Sequence, residues 1–417
     1  MDDPGRYRGL LGVAVILLAA VVFSEDRRRI APRMVIGGLA MQVVLGFVLL
    51  RWAVGQRVLE GAAAWVDAVL ACSHEGARFV FGDRLADPGG PVGFVFAFRV
   101  LPTIVFVSAL FAVLYHLGIM QQVVRAFAWV TARILGSSGA ETLNAAASIF
   151  LGQTEAPLVV RPYLASLTRS ELAVVMVSGM GLVSGGVLGA YMAAGCALSD
   201  LLTAILMSFP ATIFLTKMFI PEDGTPETLG TLRVSAERID ANVLDAAARG
   251  TREGMLLAVN VGAMLLSFIA LVALANLTLG WCGGLFGHPG LSLQFLLGLA
   301  FAPFAWLIGV PGPDCAAVGG LLGERTVLNE MIAYVDLGRL RATLSPKAFF
   351  LATIAMCSFA NISSIGIQLG GIGALIPARR AELARLGAKV LVISTLANAL
   401  SAAIAGVIMP SGIPPAA

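Results

Sequence analysis

Charge is what this chain has least of. Of its 417 residues only 13% are Asp, Glu, Lys or Arg, about half the share of an ordinary soluble domain. A net charge of +3, with no basic run interleaved with aromatics, gives nucleic acid no footing as a partner. The five cysteines, Cys72, Cys196, Cys282, Cys315 and Cys357, fall at no CxxC or other metal spacing. They read as small apolar fillers, and no metal or cofactor is expected. The three histidines are scattered, and HExxH, a GxSxG elbow with a triad, and GxxxxGK[ST] are all missing. Metalloprotease, serine-hydrolase and in-chain ATP-motor chemistry are thereby excluded, and the chain is not read as an enzyme. The start of the chain, led by Asp2 and Asp3, does not read as a cleavable signal.

What fills the space is apolar. Hydrophobic residues make up 58% and the mean hydropathy is +0.89, which marks a polytopic membrane protein. A spanning helix needs about 20 apolar residues. Candidates begin near 8–23, 33–50 and 92–118, and the stretches 172–199, 201–216, 254–313, 348–378 and 390–417 carry no Asp, Glu, Lys or Arg. About eight spanning helices follow, with two further embedded pieces around 141–165 and 291–330. Segment 55–80 mixes Trp65, Val66 and Leu70 with Arg57, Glu60 and Asp67, the pattern of an amphipathic helix on the membrane surface.

Orientation follows the arginines and lysines. Arg27, Arg28, Arg29 and Arg33, the mixed-charge loop from Lys217 to Arg252, and Arg379, Arg380, Arg385 and Lys389 are all assigned to the cytoplasm. Both chain termini then lie outside. Arg325, Arg339, Arg341 and Lys347 fall on the outer side, against the rule.

One carboxylate stands alone in this apolar sequence. Glu155 is the only charged residue between Glu141 and Arg161, and a charge at the bilayer centre costs about 2.5–3.5 kcal/mol on insertion scales. Its neighbours Gly152, Gln153, Thr154 and Pro157 bend the chain and stop a regular helix. The segment reads as a broken helix whose tip presents polar groups within the membrane. A counterpart follows at Asn329-Glu330, after the break Gly309-Val310-Pro311-Gly312-Pro313. Interrupted segments in corresponding halves point to an inverted-repeat transporter with a midplane site. A third polar cluster, Phe359-Ala360-Asn361-Ile362-Ser363-Ser364, sits inside an apolar span, with Asn361 and Ser364 on one helical face. Two acids, two amides and hydroxyls suit a neutral ligand rich in donors and acceptors. Vicinal ribose hydroxyls match Glu330 and Asn361, and an amide-like base edge matches Gln153, Thr154 and Glu155.

The motifs Gly152-Gln153-Thr154-Glu155-Ala156-Pro157-Leu158-Val159-Val160-Arg161-Pro162, Asn329-Glu330 with Ile332-Ala333-Tyr334, and Phe359 to Ile365, in this order, resemble the concentrative nucleoside transporters. Phe96 to Pro102 and Pro377 with Arg379-Arg380 fit the same family, so the likeness covers nearly the whole chain. It implies a bacterial-type, all-α protein of the cytoplasmic (inner) membrane with eight transmembrane helices and two re-entrant hairpins in an inverted repeat. It also implies a homotrimer, in which a scaffold holds an elevator-type transport domain. The corresponding division places scaffold helices and the interfacial helix at 1–120 and the first hairpin and transport half at 121–220. The cytoplasmic loop and a scaffold helix take 221–285, and the second hairpin and transport half take 286–417. By the same resemblance Gln153, Thr154, Glu155 and Val187 contact the base, while Glu330, Phe359, Asn361 and Ser364 hold the ribose and line the site.

The coupling ion is where the sequence departs from its relatives. Sodium-coupled members carry an asparagine and a serine where this chain has Ser148 and Leu182, and Leu151 and Val183 complete the remnant of that site. Leu182 offers no oxygen, and sodium is a hard ion that wants oxygen ligands. Proton coupling is therefore favoured over sodium, with Glu155, Glu330 or Asp314 as carrier, since a carboxyl in a low-dielectric site holds its proton more tightly. A sodium-coupled symporter is the main alternative, with a channel or a membrane-embedded enzyme more remote.

Overall fold

The computed structural model describes residues 4–86, 95–230, 240–288 and 290–409. The expected loop over 217–252 therefore lies partly, at 231–239, outside the described residues, as do 410–417 at the C-terminus. The described chain is helical throughout. It begins with α1 (Pro4–Val22), α2 (Pro32–Leu50), the long α3 (Ala53–Phe81) and the short α4 (Asp83–Ala86). There follow α5 (Phe96–His116), α6 (Ile119–Leu135), α7 (Gly139–Ala147), a 3-10 segment over Ala156–Tyr163, α8 (Arg169–Gly181), α9 (Gly185–Ala193) and α10 (Leu198–Phe219). The same order then recurs. It comprises α11 (Val243–Leu285), α12 (Leu293–Leu307), α13 (Cys315–Val327), α14 (Glu330–Arg339), α15 (Pro346–Met356), α16 (Ile362–Leu375) and α17 (Arg380–Ile408).

Each series holds a long helix, a shorter one, a hairpin, a broken span and a closing span. That is the expected repeat, and it is one of architecture. Eight spans result: α1, α2, α5, α8 with α9, α10, α11, α15 with α16, and α17. The first hairpin pairs α7 with the 3-10 segment. The second pairs α13 with α14 and turns at Leu328-Asn329, so it lies further along the chain than 291–330. Gly309 to Pro313 forms its base instead of its tip, because Pro311 and Pro313 stop α12 from running into α13.

Burial sorts the spans. Within their apolar windows α8–α9 is 89% buried, α10 78% and α11 only 11%, so the broken span and α10 form the centre and α11 an outer wall. Helices in lipid gain little from the hydrophobic effect and associate by close packing of small residues. The seam between α5 and α11 shows this: a Cβ on Gly250 would lie 2.6 Å from Ala112 Cβ, and one on Gly254 would lie 2.7 Å from Ser108 Cβ. In contrast, α1 packs on α17 and α2 on α10. The first two helices thus lie against α10 and α17, while α3 packs on both α2 and α5.

Candidate functional site

Two hairpins are tied down at their bases before they reach the site. At the first, Ser138 caps α7 and Thr168 caps α8, each in a reciprocal box with the glutamate three residues on, Glu141 and Glu171. Such boxes satisfy the free amides of a helix start. The two are joined, because Ser138 Oγ also donates to Glu171 Oε1, and Lys217 Nζ lies 2.7 Å from Glu141 Oε2. At the second base Ser345, the cap of α15, donates to Asp314 Oδ2. Asp314 therefore sits a whole helix away from Glu330, roughly 20 Å at 1.5 Å per residue. Its carboxylate accepts from Ser345 at the hairpin base and takes no part in the polar chain around Glu330.

The tips and the helix breaks meet in one hydrogen-bonded chain. Gln153 Nε2 donates to Ser364 Oγ at 3.1 Å, and the Ser364 amide donates to Asn361 Oδ1 at 2.9 Å. Asn361 Nδ2 reaches Glu330 Oε2 at 3.0 Å, and the Tyr191 hydroxyl lies 3.4 Å from Glu330 Oε1. All five side chains are buried. Asn361 and Ser364 do not share the face of one continuous helix: the span breaks over 357–361, and Asn361 is the extended N-cap of α16 (φ −134°, ψ 166°). Glu330 likewise opens α14 behind the cap Asn329, where the helix dipole favours a carboxylate. Val187 is buried in the first turn of α9, and Phe359 lies half-buried in the second break.

Glu155 and Thr154 face elsewhere. Both line a cavity of about 1140 Å³ with Phe111, Tyr115, Ser184, Asp240 and Arg249. The Glu155 carboxylate folds back to accept the Gly152 amide, and a Cβ on Gly152 would lie 2.5 Å from Glu155 Oε2. A side chain at 152 would push the Glu155 carboxylate off this amide. Thr154 is pressed against α16, where a Cβ on Gly371 would lie 2.5 Å from Thr154 Cγ2. In the cavity wall Arg249 grips Asp240 through two bonds of 2.7 and 2.9 Å. The Arg249 hydrogen bonds hold the Asp240 carboxyl below its usual range against the opposing effect of burial.

The residues read as a sodium-site remnant lie at the first hairpin tip and the first break. The first span breaks at Leu182, and the Gly185 amide donates to Phe150 O at 3.1 Å, joining break to hairpin tip. Ser148 Oγ donates back to Asn144 O at 2.9 Å, while Leu182 and Val183 are buried in the apolar core. Leu151 lines the cavity.

Sequence reasoning overlooked the break between α8 and α9, Tyr191, and Arg325. The glycines at 179, 181, 185 and 186 were a usable signal for the break. Arg325 had been counted as an outer-loop charge. It is buried, and donates to Ser358 Oγ at 2.8 Å and Thr395 Oγ1 at 3.0 Å, so it does not count against the expected orientation.

Two re-entrant hairpins facing two broken spans, with a buried polar chain at their junction, define a secondary transporter. Models of the Na+ dependent nucleoside transporter N-terminus and C-terminus match residues 11–84 and 200–406, and a nucleoside recognition (gate) model matches 97–197. The Bacillus subtilis "Uncharacterized transporter YutK" is 44% identical over 95% of this chain and 98% of its own. Rat "Sodium/nucleoside cotransporter 1" is 36% identical over 98% of this chain and 65% of its own. The structure of CNTnw in an inward-facing substrate-bound state superposes with a TM-score of 0.91 at 41% identity, covering 96% of this chain and 97% of CNTnw. A CNTnw variant in an outward-facing state gives 0.93 at 41%, covering 98% of each. The chain belongs to the Na+ dependent, concentrative nucleoside transporter family, as a multi-pass membrane transporter and not an enzyme.

Proposed function

We propose that this protein is a symporter that imports nucleosides, uridine among them, across a bacterial inner membrane as a homotrimer with both termini in the periplasm. The observation that carries the substrate reading is the buried chain Gln153–Ser364–Asn361–Glu330, in which both hairpins and the second broken span present an amide, a hydroxyl and a carboxylate together. Gln153, Thr154 and Glu155 are consecutive at the first hairpin tip, which assigns the base to that hairpin and the ribose to Glu330 and Asn361. Val187 and Phe359 supply apolar walls. The close seam of α5 and α11 is the natural stationary element, past which the hairpins, broken spans, α10 and α17 move as an elevator.

Protons drive this transport in preference to sodium. Supporting that reading, Leu182 puts hydrocarbon where a sodium ligand would be needed, and the Ser148 hydroxyl is turned to a backbone carbonyl. Glu330 and Glu155 remain the carriers available at the two tips. One charge moving inward is worth about 2.3 kcal/mol per 100 mV, roughly a fiftyfold concentration ratio. Uptake of labelled uridine into proteoliposomes, with pH and sodium gradients imposed separately, tests both parts. Accumulation should follow an inward proton gradient and ignore sodium. Strong stimulation by sodium at fixed pH would overturn the coupling, and equilibration without accumulation would mean a facilitator.

A further inference from the structure

Glu330 has a second fixed partner besides Asn361, and it comes from the other half of the molecule. Tyr191 lies on α9, in the first broken span, and is fully buried. Its hydroxyl points to Glu330 Oε1 at 3.4 Å, while Asn361 holds Oε2 at 3.0 Å. The phenol cannot swing away. Its ring stacks on Tyr334 with centroids 4.2 Å apart and planes 24° from parallel. Tyr334 is itself pinned by a 2.8 Å bond from its hydroxyl to Thr353 O. The carboxylate is thus held in one plane by a donor on each oxygen, one from α9 and one from the cap of α16.

The two bonds differ in kind. Hydroxyl-to-carboxylate bonds usually measure about 2.5–2.7 Å, so a 3.4 Å contact leaves Oε1 with capacity to accept from an incoming hydroxyl. A bare carboxylate on a helix start would be free to rotate and to present either oxygen. One held between Tyr191 and Asn361 presents a single acceptor edge.

We propose that Tyr191 is a positioning residue for ribose recognition, acting through Glu330 to select substrates that carry the vicinal hydroxyls. This rests on the nucleoside reading of the site. The first half of the chain, assigned to the base, thereby also governs the sugar.

The test is Tyr191→Phe in the full-length protein in proteoliposomes, with uptake of uridine compared with that of the analogue lacking both ribose hydroxyls. Phenylalanine keeps the stack and removes only the donor. Half-saturation for uridine should rise about three- to tenfold, as for loss of one ordinary, long hydrogen bond, with maximal velocity within about twofold. The analogue should change little, so discrimination falls. Unchanged discrimination, or equal losses for both substrates, would reduce Tyr191 to packing and overturn the proposal. A second measurement does not depend on transport. In calorimetric uridine binding to purified protein, Tyr191→Phe should add almost nothing on top of Glu330→Gln, because the tyrosine acts only through that carboxylate. Additive losses would overturn it. Wild-type protein that neither binds nor takes up uridine would remove the nucleoside reading, and this inference with it, a result distinct from a normal wild type with an unaltered variant.

Discussion

The two halves of the molecule build the same device from unlike parts. In the first, the hairpin tip is long, running from Ser148 to Glu155, and its returning arm is a 3-10 segment containing Pro157 and Pro162. In the second, the tip is only Leu328 and Asn329, and the returning arm is the α-helix α14. The anchors differ as well. Asn144 on α7 reaches Ser178 Oγ at 2.9 Å, close to the first break. Arg325 on α13 reaches Ser358 Oγ at 2.8 Å, at the second break, and also Thr395 on α17. A neutral amide does in one half what a buried cation does in the other. The acids diverge accordingly: Glu330 is enclosed in a network, whereas Glu155 faces the cavity and caps its own tip. Architecture repeats where packing demands it, and chemistry departs where ligand and ion are handled.

That contrast can be broken by substitution. The largest effect belongs to the anchors. Arg325→Leu strands two hydroxyls and a carbonyl that the guanidinium holds and should destabilise the protein by about 3 kcal/mol, against about 1 kcal/mol for Asn144→Ala. Thermal melting in detergent measures both, and equal losses would erase the asymmetry. Next come the tip acids. Glu330→Gln should cut uridine uptake by about a hundredfold, within the range for losing hydrogen bonds to a charged group, with folding intact. Glu155→Gln should cost about tenfold, since it loses one backbone partner. Wild-type-like uptake in Glu330→Gln would take that residue out of the site.

Much of the first hairpin was legible in the sequence because a lone acid in an apolar run has a recognisable cost. Asn361 and Ser364 were legible for the same reason, although their relation is a cap and not a shared helical face. The second hairpin was placed too early because prolines mark a helix stop without saying whether it is a tip or a base. The break at Leu182 escaped notice because it contains neither charge nor proline and lies in a run without Asp, Glu, Lys or Arg from 172 to 199. Tyr191 could not be found by spacing, since its partner lies 139 positions away in the chain.

Two smaller effects sharpen the comparison further. Restoring oxygens at the first break, with Leu182→Ser and Ser148→Asn together, should make uptake sodium-sensitive at fixed pH. No response would show that the leucine is not what separates the coupling modes. The smallest effect lies outside the membrane. Glu25 is 3.0 Å from Lys389 and 2.9 Å from Arg169, tying the loop after α1 to the starts of α17 and α8. Partial burial alone would raise its pKa, but Lys389 and Arg169 together hold it below 4.5. A depressed folded-state pKa gives stability that is present above the unfolded value and lost as pH falls through the folded one. The melting difference between wild type and Glu25→Gln should therefore be small but constant above about pH 4.5 and vanish below it.

The contact of α12 with α13 is made by side chains that are not there. A Cβ on Gly298 would lie 2.8 Å from Ala316 O, one on Gly319 2.7 Å from Ala302 N, and one on Gly323 2.6 Å from Leu297 Cβ. Two backbones consequently lie against each other with no interposed atoms to be repacked. For a mutational scan this inverts the usual expectation: the least forgiving positions beside the second hairpin are the ones that hold the least matter, and a single methyl is the smallest probe that will find them.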